Sequence, residues 1–477
     1  MTVEQYLKKN GPTLSSELIK VFSNDGISQD AIRKRLTRLK LPVNKILGFF
    51  KDNQAFYFLD EQFQTQIFFE NLRLALKSDA KKYFSIIRAI EYHYGYVKID
   101  HLPSFTFSPI QNLSSHRNFQ DTINQLKSLG ILIEDGDYYT LNDLITSKKS
   151  NFQLYKGVEL AKETILSQFY NYSKSIGLVS YDSGKFHSEF AKFQFGFVAP
   201  SYVCGITNFS KSGLNPAFVL TDVLIGNKVT IEDVNTYVAK IDVIKNTSKI
   251  NFLPYLILDN VNQDAFKLLK SRGIIVGFVN KLFGSEYEEL LRSLINTVAN
   301  AGAILKQNPQ AYIDLIINLN KLVDGKTNNL KGDLFELAVG YYYSNISQNI
   351  DIGRKINFTG LQREIDVYAS SQGSIVICEC KAYKSSVNID QTEKWLTQKI
   401  PVIYDWIRSF ENDKDIIFEF WSTSGFTVEA QELLQDRKEK SRRYKIDFLS
   451  ENEIITRAQK SKAQKIVEIM REYFIKD

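Results

Sequence analysis

Residues 331–343, KGDLFELAVGYYY, and 361–391, LQREIDVYASSQGSIVICECKAYKSSVNIDQ, decide how the C-terminal part of this chain folds. The first stretch reads as a helix with Glu336 one turn in. EIDVYAS and SIVICECKAY read as two strands joined by a tight turn at Ser371–Gly373. Residues two apart in a strand share a face. Glu379 and Lys381 therefore point one way, and Cys378 and Cys380 the other. Asp366, on the paired strand, can reach the Glu379 face near the strand's end.

These residue types suit hydrolysis of a phosphodiester. A hard cation such as Mg²⁺ (or Mn²⁺) takes carboxylate oxygens, keeps several waters and lowers the pKa of one of them. Asp366 and Glu379 are the candidate ligands, with Glu336 binding a metal directly or through water. Lys381 would orient or help deprotonate the attacking water. All four histidines precede residue 190, which excludes a histidine-based metal site in the C-terminal part. Glu379–Lys381 is the single E-x-K of the sequence. It lies in an apolar strand, where charges are costly unless paired or bound to metal.

In these residues the chain resembles the PD-(D/E)xK nucleases of the restriction-endonuclease-like fold, over about 331–450. Glu336, Ile365-Asp366 and Glu379-Cys380-Lys381 match that family's pattern in order and spacing, and E-I-D-V is similar to the Mrr-like restriction endonucleases. Ile365 stands where the family has proline. The resemblance implies a mixed sheet flanked by helices and a catalytic set of Glu336, Asp366, Glu379 and Lys381. It adds Gln391, in VNIDQTEKW, as a further polar residue on the next helix. It also implies restriction or defence against phage, with a modification-dependent restriction enzyme as the leading biological expectation.

An internal comparison extends the reading. NKVTIEDVNTYVAKIDVI (227–244) lies over SSVNIDQTEKWLTQKIPVI at a shift of 158, with one residue to absorb. The same shift sets Asn208 opposite Asp366, Thr221 opposite Glu379 and Val223 opposite Lys381. Upstream, YKGVELA echoes LKGDLFELA and sets Glu159 opposite Glu336. Asp222 falls opposite Cys380, facing away from the candidate site. The middle of the chain thus reads as a degenerate copy without anionic strand ligands, unable to hold Mg²⁺.

The front third reads as two winged helices. VEQYLKK, LSSELIKVF and ISQDAIRKRLTRLK have helical periodicity, with the Gly-containing turn SNDG between the last two and Ser28 as N-cap. Ala31, Leu36 and Leu39 are expected to face a core, leaving Arg33, Lys34, Arg35 and Arg38 on the solvent side to contact DNA. FFKDNQAFYFL supplies two strand runs around KDNQ, a wing. The plan repeats in KYFSIIRAIEYHYG and NFQDTINQLKSLGILIEDGDYYTLN, with a helix ending at Gly130 and a hairpin around Glu134–Asp137. Few bases mark this second copy, whose expected role is structural.

The expected organisation of this α/β chain is a winged helix over 1–70, a second over 78–147, the degenerate copy over 150–325 and the nuclease domain over 326–477. The net charge is +6 over 477 residues, with +4 in residues 1–150 and −1 in 331–477. The positive excess thus lies away from the candidate nuclease, as a separate DNA-holding module predicts. A basic run, RKEKSRRYK at 437–445, reads as a solvated helix end, and 451–475 as one amphipathic helix. Three cysteines make no disulfide framework, and neither a signal peptide nor an apolar run of 18 residues is present, so a cytoplasmic protein without membrane spans is expected. The expected partner is duplex DNA, with dimerisation on it for double-strand cutting and no small-molecule cofactor. A non-cleaving DNA-binding regulator, or a nuclease acting on RNA or branched DNA, are the alternatives.

Overall fold

Alternation of apolar residues between positions 349 and 381 produces an antiparallel meander in the computed structural model. Asn349–Phe358 pairs with Leu361–Ser370, which turns at Ser371–Gly373 into Ser374–Lys381, with Val367 opposite Cys378. Asp415–Ser422 and Lys445–Leu449 then add parallel to the last of these, completing a five-stranded mixed sheet. The structure describes residues 1–24, 26–111, 118–210, 213–301, 303–304, 328–383, 385–460, 467–468, 471 and 474. The end of the expected middle domain, 305–325, and most of the expected terminal helix beyond Lys460 lie outside them.

The chain divides into two units, one of 1–151 with 178–277 and one of 152–177 with 278–477. This differs from four consecutive ranges. The helix Phe152–Ser175, expected to open the middle domain, packs instead with Ser285–Ala299 and with Asn328–Ser344, the helix that carries Glu336. Its many buried positions explain why: it is covered on most sides, and Tyr287 donates to the Thr164 carbonyl at 3.3 Å. Glu159, the expected counterpart of Glu336, is buried and paired with Lys162 at 3.0 Å.

On one face of the sheet in the second unit, Ile375, Ile377, Phe418 and Phe420 pack against Trp395, Ile400, Ile403 and Ile407. The helix carrying these last four residues runs from Ile389 to Arg408 and is not uniform. Its middle, Trp395–Lys399, is a π-turn in which the Ile400 N–H reaches the Trp395 carbonyl. On the other face, Glu419 is fully buried and accepts from Trp421 at 2.9 Å, from Arg457 at 2.7 Å and from Tyr343. Four partners on one carboxylate neighbourhood, Cys378 Sγ at 3.9 Å included, satisfy a charge that would otherwise be costly there.

The first unit contains a five-stranded sheet of the same order. Lys185–Phe190, Phe193–Ser201 and Ala217–Leu224 are antiparallel neighbours, Phe252–Leu258 is parallel to the third, and Ile275–Phe278 is at the edge. Two expectations from the internal comparison are corrected by it. Asn208 lies in a separate two-stranded hairpin of Asn208–Ser210 and Gly213–Asn215, because the strand pairing with Ala217–Leu224 is Phe193–Ser201. Asp222 does not face away: it lies on the side covered by the helix Ile231–Thr247, together with Leu220 and Leu224, and Lys240 of that helix holds it at 2.8 Å. By face, Asp222 and Leu224 stand where Glu379 and Lys381 stand, and not Thr221 and Val223. A one-residue slip in register exchanges the two faces of a strand, which is how a gap-free shift misassigns every position.

In residues 1–59 the order is helix Val3–Asn10, strand Thr13–Leu14, helices Ser15–Asn24 and Gln29–Thr37, then strands Val43–Ile46 and Phe56–Leu59. The three strands form one sheet. Ser28 caps the third helix, accepting the Ala31 N–H at 3.4 Å. Ala31 itself is exposed, and Ile32 with Leu36 makes the buried stripe, since an i, i+4 pair fixes the inward face. Arg33, Lys34, Arg35 and Arg38 are exposed. The run before KDNQ is not a strand: Phe50 is buried in the core, and Lys51–Asn53 is a 3₁₀ turn with Asp52 and Asn53 at φ 55° and 52°. Residues 81–141 hold helix Lys81–Tyr92, strand Tyr96–Lys98, helix Phe119–Ser128 and the hairpin Leu132–Asp135 with Tyr138–Leu141. Gly130 follows that helix at φ 69°, the left-handed stop that glycine permits. No helix among the described residues is long and apolar enough to cross a membrane.

Candidate active site

The strand Ser374–Lys381 runs out of the core at its C-terminal end, and its last inward positions on the helix-covered face carry charge where Ile375 and Ile377 carry methyl groups. Glu379 is 6% exposed and Asp366 4%. Lys381 Nζ lies 2.7 Å from Glu379 Oε1 and 3.9 Å from Asp366 Oδ2. The same Asp366 oxygen accepts the Cys380 N–H at 2.8 Å, which pins the carboxylate against the neighbouring strand. Asp366, Glu379 and Lys381 thus come together as the alternation of the two strands requires.

Burial alone would push the Glu379 carboxyl up. Lys381 and Lys399 outweigh it and hold it down at about 2. Asp366 moves the other way: burial raises its carboxyl first, the Glu379 charge adds to this, and the two lysines oppose it only in part. Two neighbouring carboxylates pushed apart in this manner mark sites where charge is concentrated for use, although ion-pair networks do the same.

Lys399, which sequence reasoning missed, grips Glu379 with both oxygens, at 2.8 Å to Oε1 and 2.7 Å to Oε2. It is the last residue of the π-turn. The one signal for it in the sequence was the single residue left over when 227–244 is laid on the corresponding stretch.

Glu336 projects from its helix to Lys156 Nζ at 2.8 Å, and the same ammonium reaches Glu364 at 2.9 Å. Neither Lys156 nor Glu364 was anticipated. Lys156 is nearly buried, at 9% exposure of its side chain, and it holds the Glu364 carboxyl below the usual carboxylate range against the opposing effect of burial. Gly353 makes room for it. Its φ of 62° suits glycine, and a Cβ there would meet Lys156 Nζ at 3.2 Å.

Gln391 is engaged elsewhere: it closes a capping box with Asn388, accepting the Asn388 N–H at 3.2 Å while its own N–H reaches the Asn388 side chain. No hydrogen bond among the described residues joins it to Asp366, Glu379 or Lys381. Arg33, Lys34 and Arg35 of the third helix and Arg38, which caps it, belong to the other unit. Of these, Arg33 pairs with Asp30 at 3.3 Å and Arg35 lies 5.9 Å from the Phe22 ring centre.

Whether such a site fits a divalent cation can be judged from its donors. Asp366 and Glu379 offer hard oxygens at one sheet end, and their charge is already balanced by ammonium groups that a cation could relieve. The donor set fits Mg²⁺ or Mn²⁺ and offers no nitrogen or sulfur ligand on that face.

No protein-family model matches the chain, and no curated protein matches it. Among the solved structures similar to it are two that match about half of the chain. Can2 from Sulfobacillus thermosulfidooxidans, in complex with cyclic tetra-adenylate, has 10% identity and a TM-score of 0.20, covering 52% of this chain and 97% of Can2. The DNA modification-dependent restriction endonuclease AspBHI has 9% identity and a TM-score of 0.18, covering 55% of this chain and 62% of AspBHI. Likenesses this slight establish neither a family nor an activity, and the reading of the site rests on its residues.

Proposed function

We propose that the second unit is a metal-dependent nuclease domain that hydrolyses phosphodiester bonds in duplex DNA. The observation that carries this reading is the buried meeting of Asp366, Glu379 and Lys381 at the end of one sheet. Burying two carboxylates side by side is unfavourable unless something is gained from them, and a replacement by apolar residues would serve stability as well. Asp366 and Glu379 would hold the cation, with Glu336 at its margin. When bound, it supplies a water of lowered pKa and neutralises charge on the phosphate. Lys381 orients the attacking water and balances the charge of Glu379. The Cys380 N–H keeps Asp366 turned toward the site.

The first unit is proposed to hold DNA. The support for a winged helix is the helix–strand–helix–helix–strand–strand order of residues 1–59, with 81–141 read as a second, and Arg33, Lys34, Arg35 and Arg38 would meet phosphates. Its five-stranded sheet is read as a degenerate copy of the nuclease sheet. The support is the common strand order and the common acid–lysine pair, Asp222 with Lys240 and Glu379 with Lys399. Gly196 lies opposite Asp222 where Asp366 lies opposite Glu379, and Leu224 stands for Lys381, so the copy lacks a second ligand. A cytoplasmic role in restriction or defence, and dimerisation on DNA for double-strand cutting, complete the proposal.

The test is cleavage of modified and unmodified plasmid with Mg²⁺ or Mn²⁺ by wild type, Asp366→Ala and Lys381→Ala. Metal-dependent cutting that both variants lose supports the reading. Tight DNA binding without cutting by wild type would overturn it.

A further inference from the structure

Two ammonium groups share one buried carboxylate, which is more than charge balance requires. Glu379 accepts from Lys381 at 2.7 Å and from Lys399 at 2.8 and 2.7 Å. If Glu379 also serves a divalent cation, three positive groups crowd two oxygens, and one of them must leave. Lys381 is tied to both acids, standing 3.9 Å from Asp366 as well, on a strand paired along its length. Lys399 makes hydrogen bonds to Glu379 alone, among the described residues, and its side chain is 29% exposed against 23% for Lys381. Bonded to one carboxylate where Lys381 reaches two, it is the partner that leaves more readily.

The backbone bears this out. In the first unit the helix Ile231–Thr247 is a regular α-helix, and its Lys240 is fully buried against Asp222 and the carbonyls of Ser104 and Gln194. In the second unit one extra residue is absorbed as the π-turn Trp395–Lys399, and the lysine that ends it keeps its acid partner but gains access to solvent. A π-turn is less stable than the α-helix it interrupts and persists where a side chain must be re-aimed. One unit has the lysine as a structural ion pair. The other has it partly exposed.

We propose that Lys399 is a second functional lysine of the site, which holds Glu379 in the metal-free protein and, once that carboxylate is given to a divalent cation, binds a non-bridging oxygen of the substrate phosphodiester. This rests on the nuclease reading above. A purely structural Lys399 would only hold Glu379 in place, so removing it would weaken cation binding and cleavage together. The proposed role separates them.

The experiment compares the full-length wild type with Lys399→Met, Lys399→Gln and Lys399→Arg. Mn²⁺ binding is measured by calorimetry without DNA, and single-turnover cleavage is measured on plasmid. Without its ammonium competitor Glu379 should bind Mn²⁺ at least about threefold more tightly in the Met and Gln variants. Their cleavage should fall by about tenfold to a hundredfold, with Arg recovering most of it because it too can meet a phosphate. The Gln variant carries the test if Met disturbs folding. Unchanged or weaker Mn²⁺ binding, or undiminished cleavage, in the folded variants overturns the inference while wild-type cutting leaves the nuclease reading standing. Wild type that neither binds Mn²⁺ nor cuts overturns both.

Discussion

Lys156 and Glu336 are 180 residues apart in sequence and meet at 2.8 Å. The lysine sits on the helix Phe152–Ser175, which is followed by a hundred residues belonging to the other unit before the chain returns. The candidate site therefore depends on a segment that lies far upstream of the E-x-K strand. A fragment confined to 326–477 would lack it.

Lys156→Met should destabilise the second unit by about 2–3 kcal/mol, because it leaves Glu336 and Glu364 close together in a poorly solvated place without their shared cation. Chemical denaturation followed by tryptophan fluorescence checks this, since Trp395, Trp406 and Trp421 all lie in that unit. A loss under about 0.5 kcal/mol, the size of an ordinary surface substitution, would show that the pair is not structural.

Asp366→Asn keeps shape and the contact with the Cys380 N–H but removes the charge. Cleavage should fall at least a hundredfold, while the midpoint of unfolding should stay the same or rise, because a carboxyl held up by burial and by Glu379 destabilises the fold in its ionised form. A variant that melts much earlier and cuts at the wild-type rate would contradict both parts.

Arg33→Ala, Lys34→Ala, Arg35→Ala and Arg38→Ala should each weaken binding of duplex DNA without regard to sequence. Each true phosphate contact removed should lower the slope of log affinity against log salt by about 1. Titrations at several salt concentrations read the slope directly. Lys34 and Arg38, both exposed, are the most informative of the four, because Arg33 and Arg35 have partners within the unit. A set of unchanged slopes would take DNA contact away from this helix.

Glu91 ties the first unit together, with Arg73 at 2.8 Å, Arg88 at 3.3 Å and the Thr146 hydroxyl at 2.6 Å. Burial pushes its carboxyl up, and Arg73, Thr146 and Arg88 more than reverse this, so the folded value lies below the ordinary 4.5. A depressed carboxylate stabilises the fold fully above its unfolded pKa and loses that contribution as pH falls through the folded one. Glu91→Gln should therefore cost about 2 kcal/mol at pH 7 and progressively less below about pH 4.5. Urea melts of both proteins at pH 7 and pH 3.5 measure the difference, and a gap that widens in acid would refute the assignment.

Asp366, Glu379 and Lys381 are legible in the sequence, and so is the turn at Ser371–Gly373. Each follows from alternation within a few residues, a property of the backbone that neighbouring segments do not alter. The same holds for the Ser28 cap and for the glycine stop at Gly130, which are local matters of dihedral angle and one hydrogen bond. The register of one segment against another is not set by local alternation. A gap-free shift puts Asp222 on the wrong face by one residue, and helical periodicity alone puts Ala31 in the place of Ile32. Lys399 depended on a π-turn that no periodicity announces, although one unmatched residue hinted at it. Lys156 left no trace in the sequence at all, because its role is set by how a helix packs across a gap of 180 residues. Local chain geometry thus determined which groups stand on the candidate site's strands, and only tertiary packing decided which lysines hold them.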